Sequence, residues 1–205
     1  MKEELLPANN KGKATDLTKS VVLDTEDAAR DCFRRAYKRL LNPPVWHELT
    51  HNLGASFVLT DSNGKEADRL AQERDKIRID IPGPGNAAGG GYDWVVVEKV
   101  EDHANPNLSI ESFGMTLRAA AAPNDDNGKT AHFFKEGATS TFIIERKDKT
   151  VTASYFGRNE VPNTKTGNFP NDVRNALVAI GAFAGLSELQ WGTLIAAFLQ
   201  PEIGG

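Results

Sequence analysis

Residues 76–101 hold two strand-like runs on either side of a loop rich in glycine, proline and asparagine. In the first run, residues 77–81, isoleucine alternates with arginine and aspartate, and alternation with a period of two is typical of a half-buried β-strand. The second run, residues 92–97, is apolar on both of its faces, which indicates a central strand of a sheet. This pair therefore predicts a β-sheet around which the other elements pack.

Further patterns along the chain predict both helices and strands. Thr25 is placed to cap a helix that runs to about residue 40, with acidic residues in its first turn and basic residues in its last. A short helix is expected at residues 45–53, and a long C-terminal helical segment begins at residue 171 or 172 and includes a capping-box pattern. The further strands are expected at residues 20–24, 55–60, 109–119, 140–146 and 150–156.

These elements together predict an α+β fold. We expect a curved antiparallel sheet of about six strands, with N-terminal helices and a long C-terminal helical segment. The element order resembles the helix-grip arrangement of START-like and Bet v1-like domains, in which a curved antiparallel sheet wraps a C-terminal helix and encloses a cavity. The resemblance spans most of the chain, and it implies a pocket between the sheet and the helix.

Length and charge narrow the class of protein. The chain has 205 residues and a formal net charge of -4. The length predicts a single α+β domain, at residues 20–205, and the polar composition of residues 1–19, with proline, asparagine and glycine, predicts a flexible arm before it. The acidic net charge argues against a nucleic-acid-binding protein. Cys32 is the single cysteine, and no apolar run follows the first charged residues, so we expect a cytoplasmic protein without a signal peptide.

A literal H-E-x-x-H pattern occupies residues 47–51. On a helix, His47 and His51 would share a face and could ligate one zinc ion, with Glu48 placed to deprotonate a metal-bound water. The stretch through Gly54 resembles the zinc peptidases, which implies a zinc-dependent hydrolase. However, the third histidine of the metzincins would fall on Phe57, which cannot bind a metal.

The competing interpretation of this stretch is a short amphipathic helix that packs Trp46 inward and leaves its histidines in solvent. We prefer that interpretation, because no downstream carboxylate is singled out as a third ligand. The sequence therefore predicts no metal and no cofactor, with zinc as the alternative. The catalytic residues of any enzyme are unknown, with Glu48 as the alternative candidate.

The element order favours the binding of a small apolar or amphipathic molecule between the sheet and the C-terminal helix. The candidate site residues are the aromatic walls Trp94, Tyr155, Phe156 and Trp191 and the polar residues Arg158 and Glu160. An ion pair that merely anchors the loop after the last strand is the competing role for Arg158 and Glu160. His132, which precedes two phenylalanines, is expected to be a buried or edge histidine.

Three other interpretations concern partners and cofactors. A structural, homo-oligomerising protein would pack its C-terminal helix against a second copy through the small residues around Gly181 and Gly185. A membrane span is opposed by Glu188, whose charge is costly in lipid. The run Gly83–Ala88 imitates a dinucleotide fingerprint, but a strand and not a helix follows it. We therefore expect a small-molecule ligand, no nucleic acid and no membrane.

Overall fold

The alternating apolar patterns produce one antiparallel sheet of seven strands. The computed structural model describes residues 5–52, 54–81, 89–123, 125, 128–163 and 188–201. The strands are β1 (Lys13–Val22), β2 (Ser56–Thr60), β3 (Lys76–Asp80), β4 (Asp93–His103), β5 (Ile110–Ala119), β6 (Thr139–Lys147) and β7 (Thr150–Glu160). Their order across the sheet is β1-β7-β6-β5-β4-β3-β2, so every pair of neighbours follows along the chain except β1 and β7.

The helices are α1 (Glu26–Leu40), α2 (Trp46–Leu49) and α3 (residues 188–199), and a single 3-10 turn (Pro43–Val45) precedes α2. Thr25 caps α1 as the sequence predicts, because its hydroxyl oxygen accepts a hydrogen bond of 3.1 Å from the backbone N–H of Ala28. The apolar stripe of α1 is buried against the sheet.

The sheet has a core face, which the helices cover, and an outer face. Successive side chains of a strand point to opposite faces, so Val95, Met115, Phe142 and Ala153 share the core face with the apolar residues of α1 and α3. Their strand neighbours, such as Trp94, Gly114, Ile143 and Ser154, lie on the outer face. The pairing of Ile143 with both Gly114 and Ser154 confirms this division.

Leu5 covers part of the outer face. It is 2% exposed, and the Thr116 hydroxyl donates a hydrogen bond of 3.2 Å to its carbonyl oxygen. A Cβ at position 114 would lie 2.3 Å from Leu5 Cδ1, so any residue other than glycine there would displace the Leu5 side chain from its present position. The chain before β1 is thus attached to the sheet in the region of Leu5.

The expected α+β class and element order are confirmed: a strand, a helix, a short helix, six strands and a helix follow one another in the described residues. The sheet has seven strands where about six were expected. The first strand begins at Lys13, so residues 13–19, expected to lie in the arm, are part of the sheet. The second run of the pair at residues 76–101, expected to be a central strand, is β4, which lies inside the sheet between β3 and β5.

Helix α3 is held at its C-terminal end by two arginines of α1. The Arg39 guanidinium donates hydrogen bonds to the carbonyl oxygens of Ala197 at 3.0 Å and Gln200 at 2.6 Å, and Arg35 Nε donates to the same Gln200 oxygen at 2.9 Å. The last carbonyls of a helix lack intrahelical partners and carry the negative end of its dipole, so two cations are well suited to this place. These contacts fix the side of the sheet on which α3 lies.

Candidate ligand-binding cavity

An apolar cavity of about 40 Å³ lies between the core face, α2, α3 and the loop that contains residues 131–134. A cavity needs roughly 10–15 Å³ of this measure to hold one water, so the space is equivalent to a few water molecules. The residues that line it are Trp46, Ala55, Phe57, Ile77, Ile79, Ile81, Val95, Leu117, His132, Phe133, Phe134, Ser140, Tyr155, Gln190 and Trp191.

Aromatic rings form much of the wall. Trp191 of α3 stacks on Tyr155 of β7, with ring centroids 5.3 Å apart and an angle of 17° between the planes. Trp46, at the start of α2, meets Phe57 of β2 edge-on at 5.1 Å. Trp46 is fully buried, and its indole N–H donates a hydrogen bond of 2.8 Å to the carbonyl oxygen of Arg39. The ring contacts thus connect β7 with α3 and β2 with α2.

The loop at residues 131–134 closes another side of the cavity. The N–H of Trp94 donates to the carbonyl oxygen of Ala131 at 2.7 Å, and the N–H of Ala131 donates to Ala120 at 2.9 Å. These bonds attach the loop to the ends of β4 and β5. Phe133 and Phe134 are only half-buried, so the loop presents apolar rings both to the cavity and to solvent.

A short chain of polar groups borders the cavity at Tyr155. The Tyr155 and Ser140 hydroxyls are 3.1 Å apart, the Tyr155 hydroxyl donates to Glu160 Oε1 at 3.5 Å, and the Thr15 hydroxyl donates to Glu160 Oε2 at 2.8 Å. Burial raises the pKa of the Tyr155 phenol far above its ordinary value and also raises the pKa of the Glu160 carboxyl. The hydroxyls of Tyr155, Ser140 and Thr15 therefore act as neutral hydrogen-bonding groups.

His132 contributes a second polar group to the lining. It is 7% exposed, and its Nδ1 accepts a hydrogen bond of 3.0 Å from the backbone N–H of Phe134. Burial lowers the pKa of the imidazole to about 3, so the ring is neutral at physiological pH. Its ring stacks on Phe133, with centroids 4.2 Å apart.

The predicted ligand-binding residues divide between the two faces of the sheet. Tyr155 lines the cavity, and Glu160 is hydrogen-bonded to it. Trp94 lies on the outer face, where its indole N–H donates to the carbonyl oxygen of Gly89 at 3.3 Å. Arg158 is also on that face: it contacts Asp16 and lies 5.6 Å over the Phe156 ring. The structure therefore does not bring these residues together, and of the predicted walls only Tyr155 and Trp191 line the cavity.

The H-E-x-x-H stretch does not form the helix that a zinc site needs. Helix α2 ends at Leu49, where the sequence predicted helix to residue 53. His51 lies beyond that end with a φ of 55° and is exposed, while His47 Nδ1 is 3.1 Å from the carbonyl oxygen of Ala55. Glu48 is exposed. Within the described ranges, no group of three or more His, Cys, Asp or Glu side chains is placed to hold a metal ion.

Several lining residues were not identified from the sequence as site residues, above all Trp46, Phe57, Phe133 and Phe134. Period-two alternation indicated Ile77, Ile79 and Ile81 as a single face, but it did not say that this face borders a cavity. No local signal identifies the loop phenylalanines, because the position of a loop depends on the strands that it joins.

Some expectations lie outside the described residues. These include the fingerprint-like run at 83–88 and the small residues around Gly181 and Gly185. Among the described helices, none is long and apolar enough to cross a membrane.

Comparison with known proteins gives a weak structural likeness. No family model and no curated protein matches the chain. Ara h 8.0201 is 9% identical with a TM-score of 0.38, and the match covers 91% of this chain and 99% of that one. A conserved protein from Geobacillus kaustophilus is 12% identical with a TM-score of 0.39, covering 90% and 93%. Protein Ms6760 from Mycobacterium smegmatis is 13% identical with a TM-score of 0.37, covering 89% and 91%. The fold assignment rests on the strand order itself.

Proposed function

We propose that the protein binds a small, mostly apolar molecule in the cavity between the sheet, α2 and α3. The observation that carries this proposal is the lining, in which aromatic and aliphatic side chains predominate and no described residue bears a formal charge at neutral pH. Apolar lining with a few polar groups is typical of small-molecule sites. The bound molecule would gain free energy chiefly by the removal of apolar surface from water.

The cavity is much smaller than the pockets that hold drug-sized ligands, which measure roughly 300–1,000 Å³. A ligand larger than a few waters must therefore displace part of the wall. Phe133, Phe134 and Trp191 are half-buried, whereas Trp46 is fully buried. Rotation of the half-buried rings disrupts less packing, so we place the entrance between the 131–134 loop and α3.

The first test is a titration with N-phenyl-1-naphthylamine, an uncharged dye whose emission rises in apolar surroundings. We expect saturable binding by the wild-type protein. Trp191→Phe replaces the indole that forms part of the wall and stacks on Tyr155 by a smaller phenyl ring. The affinity of this variant for the dye should therefore fall roughly three- to tenfold. Trp94→Phe is the matched control, because it makes the same change on the outer face, and its affinity should stay at the wild-type value.

Direct excitation of the dye keeps the readout independent of the number of tryptophans. Equal effects of Trp191→Phe and Trp94→Phe would show that the dye binds elsewhere. Benzene is a second probe, whose binding is measured by the shift in melting temperature. If neither the dye nor benzene binds the wild-type protein saturably, then the proposed function is wrong.

A further inference from the structure

His132 has one ring nitrogen with a partner and one without. A ring nitrogen that accepts a hydrogen bond carries no proton, so the bond from the Phe134 N–H to Nδ1 places the proton of the neutral ring on Nε2. No residue in the described part of the chain accepts a hydrogen bond from this Nε2–H. The residue is 7% exposed, and it lines the cavity.

The other polar groups of the lining differ from His132 in this respect. Ser140 and Tyr155 are hydrogen-bonded to each other, and Gln190 has an interaction of its own. Buried polar groups in folded proteins nearly always have a partner, and a donor left without one is unfavourable. The donor of His132 is therefore the polar group of this cavity that an incoming molecule can satisfy.

We infer that the Nε2–H of His132 donates a hydrogen bond to one oxygen of the ligand, so that the preferred ligand is an uncharged apolar molecule with a single carbonyl, ether or hydroxyl acceptor. This inference rests on the proposed function and names its ligand class. An ionised ligand would lose its hydration without meeting an opposite charge, since the lining holds no charged side chain among the described residues.

The test uses two uncharged probes of nearly the same shape. Cyclohexanone presents a carbonyl oxygen where methylenecyclohexane presents a CH₂ group, so only the ketone can accept the hydrogen bond. The ketone is better hydrated in water, and the informative quantity is therefore the ratio of the two dissociation constants in each protein variant. This ratio cancels the hydration difference when wild type and variant are compared.

We expect His132→Phe to shift the ratio against the ketone by about five- to tenfold, as the loss of one neutral hydrogen bond implies. His132→Gln retains an N–H donor and should shift the ratio less. His103→Phe is the control, because the His103 side chain is 49% exposed and does not line the cavity. Its ratio should equal that of the wild type.

A measurement on the wild-type protein alone guards against misfolding of the variants. In long-range ¹H–¹⁵N spectra, the Nε2 resonance of His132 should move on addition of the ketone and not on addition of the alkene. If both probes bind but the ratio and the resonance do not distinguish them, the inference is wrong while the proposed function stands. If neither probe binds although the dye or benzene does, the inference about the ligand class is wrong and the proposed function stands. If the dye, benzene and both probes all fail to bind, both are wrong.

Discussion

At the scale of single residues, burial keeps the phenol of Tyr155 and the imidazole of His132 in the cavity lining uncharged. Burial raises the pKa values of Tyr155 and Glu160 and lowers that of His132, and each shift favours the uncharged form. A neutral phenol and a neutral imidazole lose less on transfer from water than their ions do. The cavity can therefore present hydrogen-bonding groups without the desolvation cost of a charge.

The depressed pKa of His132 makes a prediction about acid stability. The folded-state pKa is about 3 and the ordinary value is 6.5, so in this interval the unfolded chain binds a proton that the folded chain does not. The contribution of His132 to stability is fully present above pH 6.5 and is lost as the pH falls toward 3. Each pH unit in this window removes about 1.4 kcal/mol from the free energy of unfolding.

Urea denaturation of the wild type and of His132→Phe at pH 4, 5, 6 and 7 measures this contribution. The free energy of unfolding of the wild type should fall more steeply with acid than that of the variant, while other titrating groups cancel in the difference. His103→Phe should follow the wild-type curve, because its exposed imidazole has nearly the same surroundings in the unfolded chain. Parallel curves for the wild type and His132→Phe would contradict the burial of a neutral imidazole.

At the scale of elements, the position of α3 depends on the arginines of α1. Arg39 donates hydrogen bonds to the carbonyl oxygens of Ala197, Phe198 and Gln200 at the C-terminal end of α3, where carbonyl oxygens commonly lack intrahelical partners. Since Trp191 lies on the same helix and forms the cavity wall, this contact at the far end of α3 helps to position the site.

We expect Arg39→Met to lower the free energy of unfolding by about 2 kcal/mol, because several charge-assisted hydrogen bonds and a favourable interaction with the helix dipole are lost. Methionine keeps much of the apolar length of the arginine side chain. Arg34→Met, on the exposed side of α1 where Arg34 pairs with Asp31, should leave the stability almost unchanged. Equal losses in the two variants, measured by chemical denaturation, would show that Arg39 acts only as a surface charge.

The element scale also shows how far the sequence predicts this structure. Period-two alternation and capping residues located most of the strands and α1 to within a few residues, but β1 begins at Lys13, seven residues before the strand expected at 20–24. The same reasoning extended α2 to residue 53, because the pattern of residues 45–53 is compatible with a helix. The chain instead leaves the helix after Leu49, and His51 adopts a positive φ. The end of such a short helix is decided by tertiary packing, which no local pattern records.

At the scale of the whole molecule, the main limit to sequence reasoning was the choice of face. Trp94 and Tyr155 are both aromatic residues in strands, so the sequence favoured both as walls of one pocket. Their faces depend on strand register and on the side where α1 and α3 pack, and the structure separates them. The pairing of β1 with β7 joins residues that are far apart in sequence, 130 positions for Val21 with Val151 and 134 for Lys19 with Ala153. Local patterns do not predict such pairs.

The two faces also provide the last prediction. Ile79 lines the cavity on the core face and is 7% exposed, while Ile143 is buried on the outer face and is 6% exposed. Replacement of either by alanine removes the same atoms at nearly the same burial, so both variants should lose roughly 2–5 kcal/mol of unfolding free energy. Only Ile79→Ala enlarges the cavity.

Benzene distinguishes these variants, because an apolar cavity of about 150 Å³ is enough to bind it. We expect Ile79→Ala to bind benzene several times more tightly than the wild type, seen as a larger rise in melting temperature at saturating benzene, whereas Ile143→Ala should respond as the wild type does. The comparison holds the loss of stability constant and changes only the face on which space is made. An equal response of the two alanine variants would mean that benzene enters any weakened part of the sheet, and the core-face cavity would then lose its special role in ligand binding.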